Sequence, residues 1–323
     1  MGRVSESRAP RPRRRRPLRA AVGLLVLFAV IGYFAVQRYS NGGAGAPYCT
    51  ATATAGGGQK YEMTPEQAAN AATIAAVGIS KGLPDRAVTI ALATAMQESA
   101  LRNLDHGDRD SLGLFQQRPS MGWGTPEQIT DPVYSAGIFY DHLVDVPGYS
   151  RLPLTVAAQK VQRSGYPQAY AKHETDATVL TAAFGEGGVL FCSGPAPLKG
   201  DPEKVKAELV RAFGKEALAG SGGAAGGAEA ARTDPGGAAE PEIRLLLKRD
   251  GGAAEERRGR AMAHWAVARS HELGIARVSY RGSGWVGGQA RGVWQNKGGS
   301  SGKSGDGDPR GALGDEVRIF IAR

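Results

Sequence analysis

The sequence has few of the side chains on which metal and thiol chemistry depend. Its 323 residues include two cysteines, Cys49 and Cys192, and five histidines. Their spacing matches no zinc-ligand pattern, and no acidic segment has the spacing of an EF-hand loop. The sequence therefore predicts no zinc site and no EF-hand calcium site.

Long apolar runs are equally scarce, and this excludes a transporter. Only residues 20–36 are continuously apolar and uncharged. As a helix they would measure about 25 Å, slightly less than the roughly 30 Å of a bilayer core. One span encloses no translocation path and carries no polar residue to mark one.

The arginines before this run predict its orientation and account for the net charge. The formal charge is +9, which could indicate a nucleic-acid partner. However, residues 1–19 hold eight arginines against one glutamate, so the rest of the chain is nearly neutral. A basic tail followed by an apolar run is typical of a signal anchor, with the tail in the cytoplasm and residue 40 onward outside. We therefore predict a membrane partner and no nucleic acid.

The N-terminus allows two other interpretations. Ala44-Gly45-Ala46 resembles a signal-peptidase site, but Pro47 follows it directly and disfavours cleavage. The residues before Cys49 are not the small apolar set that precedes a lipidated cysteine. We favour one uncleaved span in the cell membrane.

The cysteines lie on either side of the central region. In an exported chain, an even cysteine number favours a disulfide between Cys49 and Cys192. The alternative is two unpaired thiols.

Composition divides the chain into segments and predicts their secondary structure. Thr64 and Thr125 each begin a Thr-Pro-Glu-Gln capping sequence, and further helical patterns follow as far as Phe213. We predict an all-α domain, preceded by one transmembrane helix and followed by a small α+β domain. The boundaries are a cytoplasmic tail at 1–19, a membrane span at 20–37, a flexible spacer at 38–60, the helical domain at 61–215, a Gly/Ala-rich linker at 216–240 and the last domain at 241–323.

Glu98 is the strongest candidate for acid chemistry. A helix over 86–100 would place it on the same face as Ala87, Ala91 and Ala95. Beside such an apolar stripe a carboxyl group loses hydration, which raises its pKa and allows it to donate a proton to a glycosidic oxygen. The alternative is a solvated glutamate in the last helical turn.

The residues around Glu98 resemble a known family. Glu98-Ser99, followed by Gly113-Leu114-Phe115-Gln116, is similar to the Glu-Ser and Gly-Leu-x-Gln motifs of lytic transglycosylases with the lysozyme-like fold. The likeness covers roughly residues 60–190. It implies a lysozyme-like fold for the helical domain, Glu98 as the sole acid/base, and Ser99, Gly113 and Gln116 as sugar-cleft residues.

The other candidates for substrate contact surround these motifs. The family's third motif has only a loose counterpart over 157–165, where Gln162 or Ser164 would replace an asparagine. The Asp105–Asp110 loop could be solvated, could face the substrate as a second carboxylate, or could hold a cation. The remaining predicted substrate-binding residues are Ser111, Gln117 and Trp123, the last set between two glycines.

The resemblance implies cleavage of the β-1,4 bond after N-acetylmuramic acid in peptidoglycan glycan strands. Glu98 would protonate the leaving oxygen and then accept the proton of the sugar's own 6-hydroxyl, with no cofactor. The alternative is a non-catalytic peptidoglycan-binding or envelope scaffold protein. Under both hypotheses, enzyme and scaffold, the C-terminal domain could bind an envelope protein.

Overall fold

The computed structural model describes residues 46–54, 58–165, 168–218, 240–247, 252–289, 292–296 and 316–323. The predicted cytoplasmic tail, the predicted span at 20–37 and most of the predicted linker lie outside these residues. Within the described ranges, no helix is long and apolar enough to cross a membrane. Residues Ala46–Arg323 belong to one compact unit.

Helices occupy most of the chain between residues 64 and 213, and several begin at the predicted caps. Thr64 and Thr125 both close capping boxes, with Gln67 and Gln128 as the reciprocal partners. The helices of this region are α1 (Pro65–Ser80), α2 (Asp85–Ser99), α3 (Pro126–Ile129), α4 (Pro132–Val144), α5 (Leu154–Gln162), α6 (Glu174–Phe184) and α7 (Pro202–Phe213). Helix α2 packs against α1, α4, α5 and α6, so the helix that carries Glu98 is the central one.

The prediction of an all-α domain is wrong, because a three-stranded antiparallel sheet belongs to this region. Its strands are β1 (Tyr48–Ala53), β2 (Lys60–Met63) and β3 (Gly188–Ser193), with β1 in the centre. Strand β1 lies within the segment predicted as a flexible spacer. It has few large side chains, and one of its two partner strands, β3, is distant: the Thr52 hydroxyl donates to the carbonyl oxygen of Val189, 137 residues away. A local pattern cannot show such a pairing.

The predicted disulfide between Cys49 and Cys192 is present, and it joins β1 to β3. The two residues lie directly opposite each other in the antiparallel register. Cys49 is fully buried and Cys192 almost so. The bond therefore links the first described strand to the last strand of the sheet across 143 residues of sequence.

We expect the Cys49→Ala/Cys192→Ala protein to lose about 4 to 5 kcal/mol of unfolding free energy in the chain-entropy model, because the unfolded chain regains the freedom of a long closed loop. Urea unfolding under oxidising conditions measures the difference. The matched control is a reductant, which should destabilise the natural chain and leave the double variant unchanged. Equal midpoints for the two oxidised proteins would contradict the expectation.

The C-terminal region contains a second sheet with helices on one face. The elements are β4 (Glu242–Leu246), α8 (Ala253–Ala268), α9 (Ser270–Leu273), β5 (Ile275–Tyr280), β6 (Ser283–Val286), β7 (Gln295–Asn296) and β8 (Glu316–Ile321). The five strands are antiparallel in the order β4-β8-β5-β6-β7. Helix α8 packs on β5 and β8 and also contacts α1 and β3 of the preceding region.

Candidate active site

Glu98 lies in the last turn of α2, where the helix meets a cleft. Ala87, Ala91 and Ala95 on the same helical face are fully buried, as the sequence predicts. The helix ends after Ser99 because Ala100 takes a left-handed conformation, with φ 52° and ψ 41°. This geometry leaves the Glu98 side chain half-buried at the edge of the core.

The surroundings of Glu98 act on its pKa in two directions. Burial disfavours the charged carboxylate and raises the pKa, and this is the largest effect. Hydrogen bonds from Tyr170 and Gln162 favour the carboxylate and lower the pKa, but by less. The net result is a raised pKa, as a proton donor near neutral pH requires.

Tyr170 is the main partner of Glu98, and the sequence does not identify it. Its hydroxyl donates to Glu98 Oε1 over 2.6 Å, and its ring is fully buried. Burial, and then the charge of Glu98, raises the pKa of Tyr170, so the hydroxyl keeps its proton at neutral pH. The two residues are 72 positions apart, and a tyrosine at that distance resembles any core aromatic.

Ser99 connects the end of α2 to the next motif and does not line the cleft. It is buried, and its hydroxyl contacts the carbonyl oxygens of Ala95 at 3.0 Å and Leu114 at 2.8 Å. The second contact fixes the Gly-Leu-Phe-Gln turn against the helix. The structure thus places Ser99 in a supporting position behind Glu98.

The turn itself is a short loop closed by Leu112 and Gln117, which exchange two backbone hydrogen bonds of 2.9 and 3.0 Å. Gly113 within it has φ 75°, and a Cβ there would lie 2.5 Å from the Ile129 carbonyl oxygen. Glycine is therefore required by backbone packing, and Gly113 does not line the cleft. The Gln116 side chain does line it.

Gln162 lies at the cleft wall, and so does Ser164, the other residue expected in place of an asparagine. Its Nε2 donates to the Phe115 carbonyl oxygen over 2.6 Å, and its side chain also hydrogen-bonds with Glu98. Gln162 thereby connects α5, the turn and the candidate acid. Ser164 follows it and forms a hydrogen bond with Tyr170.

The cleft in front of Glu98 has a volume of about 810 Å³, within the range of small-molecule sites. At its mouth Trp123 is half-buried, with its ring centroid 4.5 Å from that of His142. The predicted residues that line the cleft are Glu98, Ser111, Gln116, Gln117, Trp123, Gln162 and Ser164.

The carboxylates of the Asp105–Asp110 loop take different positions. Asp105 pairs with His106 at 2.7 Å, with both side chains exposed. Asp110 accepts from Arg118 at 2.6 Å and from the Ser120 amide, and these bonds hold its pKa well below the usual range. Neither lines the cleft, whereas Asp108 does.

Asp145 is a further cleft carboxylate, and sequence reasoning missed it. It caps the end of α4 and lines the cleft together with Asp108. In the part of the chain that the structure describes, no three His, Cys, Asp or Glu side chains are grouped so that they could hold a metal ion.

No protein-family model matches the chain, and no curated protein matches it.

We expect Tyr170→Phe to extend activity to higher pH. The lost hydrogen bond favoured the charged form of Glu98, so its removal raises the pKa of Glu98 and keeps the acid protonated at higher pH. A hydrogen bond to a charged group contributes roughly 1.5–3 kcal/mol, and a pKa unit corresponds to about 1.4 kcal/mol, so the alkaline limb of kcat/KM should move upward by about one to two units. Tyr134→Phe is the matched control, because that hydroxyl donates to the Trp123 carbonyl. An unmoved or lowered limb would contradict the role of Tyr170.

Proposed function

We propose that the protein cleaves peptidoglycan glycan strands in the manner of a lytic transglycosylase, with Glu98 as the single general acid and base. The observation that carries the proposal is a half-buried carboxyl group of raised pKa at the floor of a polar cleft of about 810 Å³. A glycosidic oxygen is a poor leaving group until it is protonated, and such a carboxyl group supplies the proton.

The environment of Glu98 suits both halves of this reaction. In the first step, the neutral acid protonates the leaving oxygen as the bond to C1 breaks, and burial favours that neutral form. In the second step, the carboxylate accepts the proton of the 6-hydroxyl as its oxygen bonds to C1 and closes a 1,6-anhydro ring. Tyr170 donates to the carboxylate at 2.6 Å, which stabilises the charged form and holds its orientation.

A hydrolase would need a second carboxylate to act as a nucleophile or to activate water. Only two carboxylates besides Glu98 line the described cleft, Asp108 and Asp145. The products distinguish the two reactions, because internal attack leaves anhydro-muramic ends and water leaves reducing ends. Mass analysis of purified peptidoglycan incubated with the full chain tests this, with anhydro ends as the expected result.

The same proposal places the cleft on the outer side of the cell membrane, where the substrate lies. The buried disulfide supports this location, since such bonds persist in oxidising compartments. Binding of peptidoglycan without any product would instead favour a non-catalytic wall-binding protein.

A further inference from the structure

The wall of the cleft beside Glu98 carries positive charge. It is formed by the end of α5 and the residues after it, 160–165, which include Lys160 and Arg163 and no acidic residue. Both cationic side chains are exposed. Gln162, which hydrogen-bonds with Glu98, lies between them in sequence. Both cationic residues therefore line the same cleft as Glu98.

These two cations have no carboxylate partner among the described residues, in contrast to Arg118, a cleft residue that pairs with Asp110 outside the cleft lining. Because both side chains are also exposed, their charge is available to a ligand. A lysine in the last turn of α5 also interacts favourably with the helix dipole, but Arg163 lies beyond that turn.

We infer that Lys160 and Arg163 bind a carboxylate substituent of the glycan and give the cleft a preference for acidic over neutral strands. The inference rests on the proposed function and names which feature of the substrate the cleft recognises. In a muramyl strand the carboxylate could be the free lactyl group or a carboxyl group of a peptide stem. Both offer the same oxygen pair to an ammonium or guanidinium group.

The test measures equilibrium binding of soluble oligomers to the full chain carrying Glu98→Gln, so that no cleavage is needed. The oligomers are peptide-bearing muramyl strands, denuded strands with free lactyl carboxylates, and neutral chitohexaose. We expect Lys160→Glu/Arg163→Glu to weaken binding of an acidic strand roughly tenfold, the effect of about 1.4 kcal/mol, and to leave chitohexaose within twofold. Lys199→Glu, an exposed lysine outside the cleft, is the matched control and should change nothing.

The outcomes distinguish the inferred carboxylate recognition from the proposed cleavage activity. A loss confined to denuded strands identifies the lactyl carboxylate, and a loss confined to peptide-bearing strands identifies a stem carboxyl group. Equal binding by both proteins, or an equal loss for all three oligomers, overturns the inference. A protein that shows the charge-dependent binding yet yields no cleavage products with natural Glu98 would keep this inference and refute the proposed function.

Discussion

Replacing Glu98 with glutamine is expected to lower turnover by roughly 10²- to 10⁴-fold, the range that general acid catalysis supplies. Glutamine keeps the shape and most of the hydrogen bonding of the side chain but has no transferable proton. The Tyr170 hydroxyl, now 2.6 Å from the carboxylate, can donate equally well to the amide oxygen. Oligomer binding should therefore survive, and the loss should appear in kcat.

The controls for this result are conservative changes at other carboxylates. Glu66→Gln alters an exposed glutamate in the first turn of α1 and should have no effect. Asp108→Asn and Asp145→Asn should each cost less than about tenfold, because attack by the substrate's own hydroxyl needs no second carboxylate. Equal activity in natural and Glu98→Gln proteins would remove Glu98 from the mechanism, and a severe loss at Asp108 or Asp145 would favour hydrolysis by water.

The position of Glu98 could be predicted because the information is local. Helical spacing placed it beside Ala91 and Ala95, and the adjacent motif suggested its chemistry. The role of Ser99 could be predicted only in part: the resemblance placed it in the cleft, but its hydroxyl lies buried against Leu114. Tyr170 and Asp145 approach the cleft through tertiary packing alone, which no short-range spacing reveals.

The sheet of β1, β2 and β3 could also be predicted only in part from the sequence. The sequence predicted the bond between Cys49 and Cys192 but not the strands that contain them. Cysteine number and export are compositional signals, whereas the pairing of β1 with β3 joins residues far apart in the chain. The alanines of β1 weaken its strand preference, and its pairing with both β2 and β3 stabilises the strand.

The C-terminal residues pack as part of the same core as the cleft region. Arg257 of α8 forms an ion pair of 2.5 Å with Asp85, the first residue of the helix that carries Glu98. Trp285 Nε1 donates to the Cys192 carbonyl oxygen at 3.1 Å, and Trp294 Nε1 donates to that of Leu190 at 2.8 Å. These contacts give residues after 240 a stabilising role that their amino-acid pattern does not reveal.

Trp265 is the residue at which the stabilising contribution of the C-terminal region can be measured. It is fully buried on α8, and its ring meets Phe213 of α7 edge-on with centroids 6.1 Å apart. Its Nε1 has no hydrogen-bond partner among the described residues, so its contribution comes from packing. Trp265→Ala should lower the unfolding free energy by about 3–5 kcal/mol.

Truncation after Leu218 should have a larger effect than Trp265→Ala and should abolish cooperative folding. It exposes the α1 and β3 surfaces that α8 covers, and the total stability of a domain is only about 5–15 kcal/mol. Urea unfolding followed by circular dichroism measures the unfolding free energy of the Trp265→Ala protein and of the truncated chain. Leu246→Ala is the control, since that side chain is 52% exposed and its loss should change stability by less than about 0.5 kcal/mol. A truncated chain that unfolds cooperatively at the natural midpoint would show that the cleft region folds alone, and the contacts of Trp265, Trp285 and Trp294 would then be those of an appended domain.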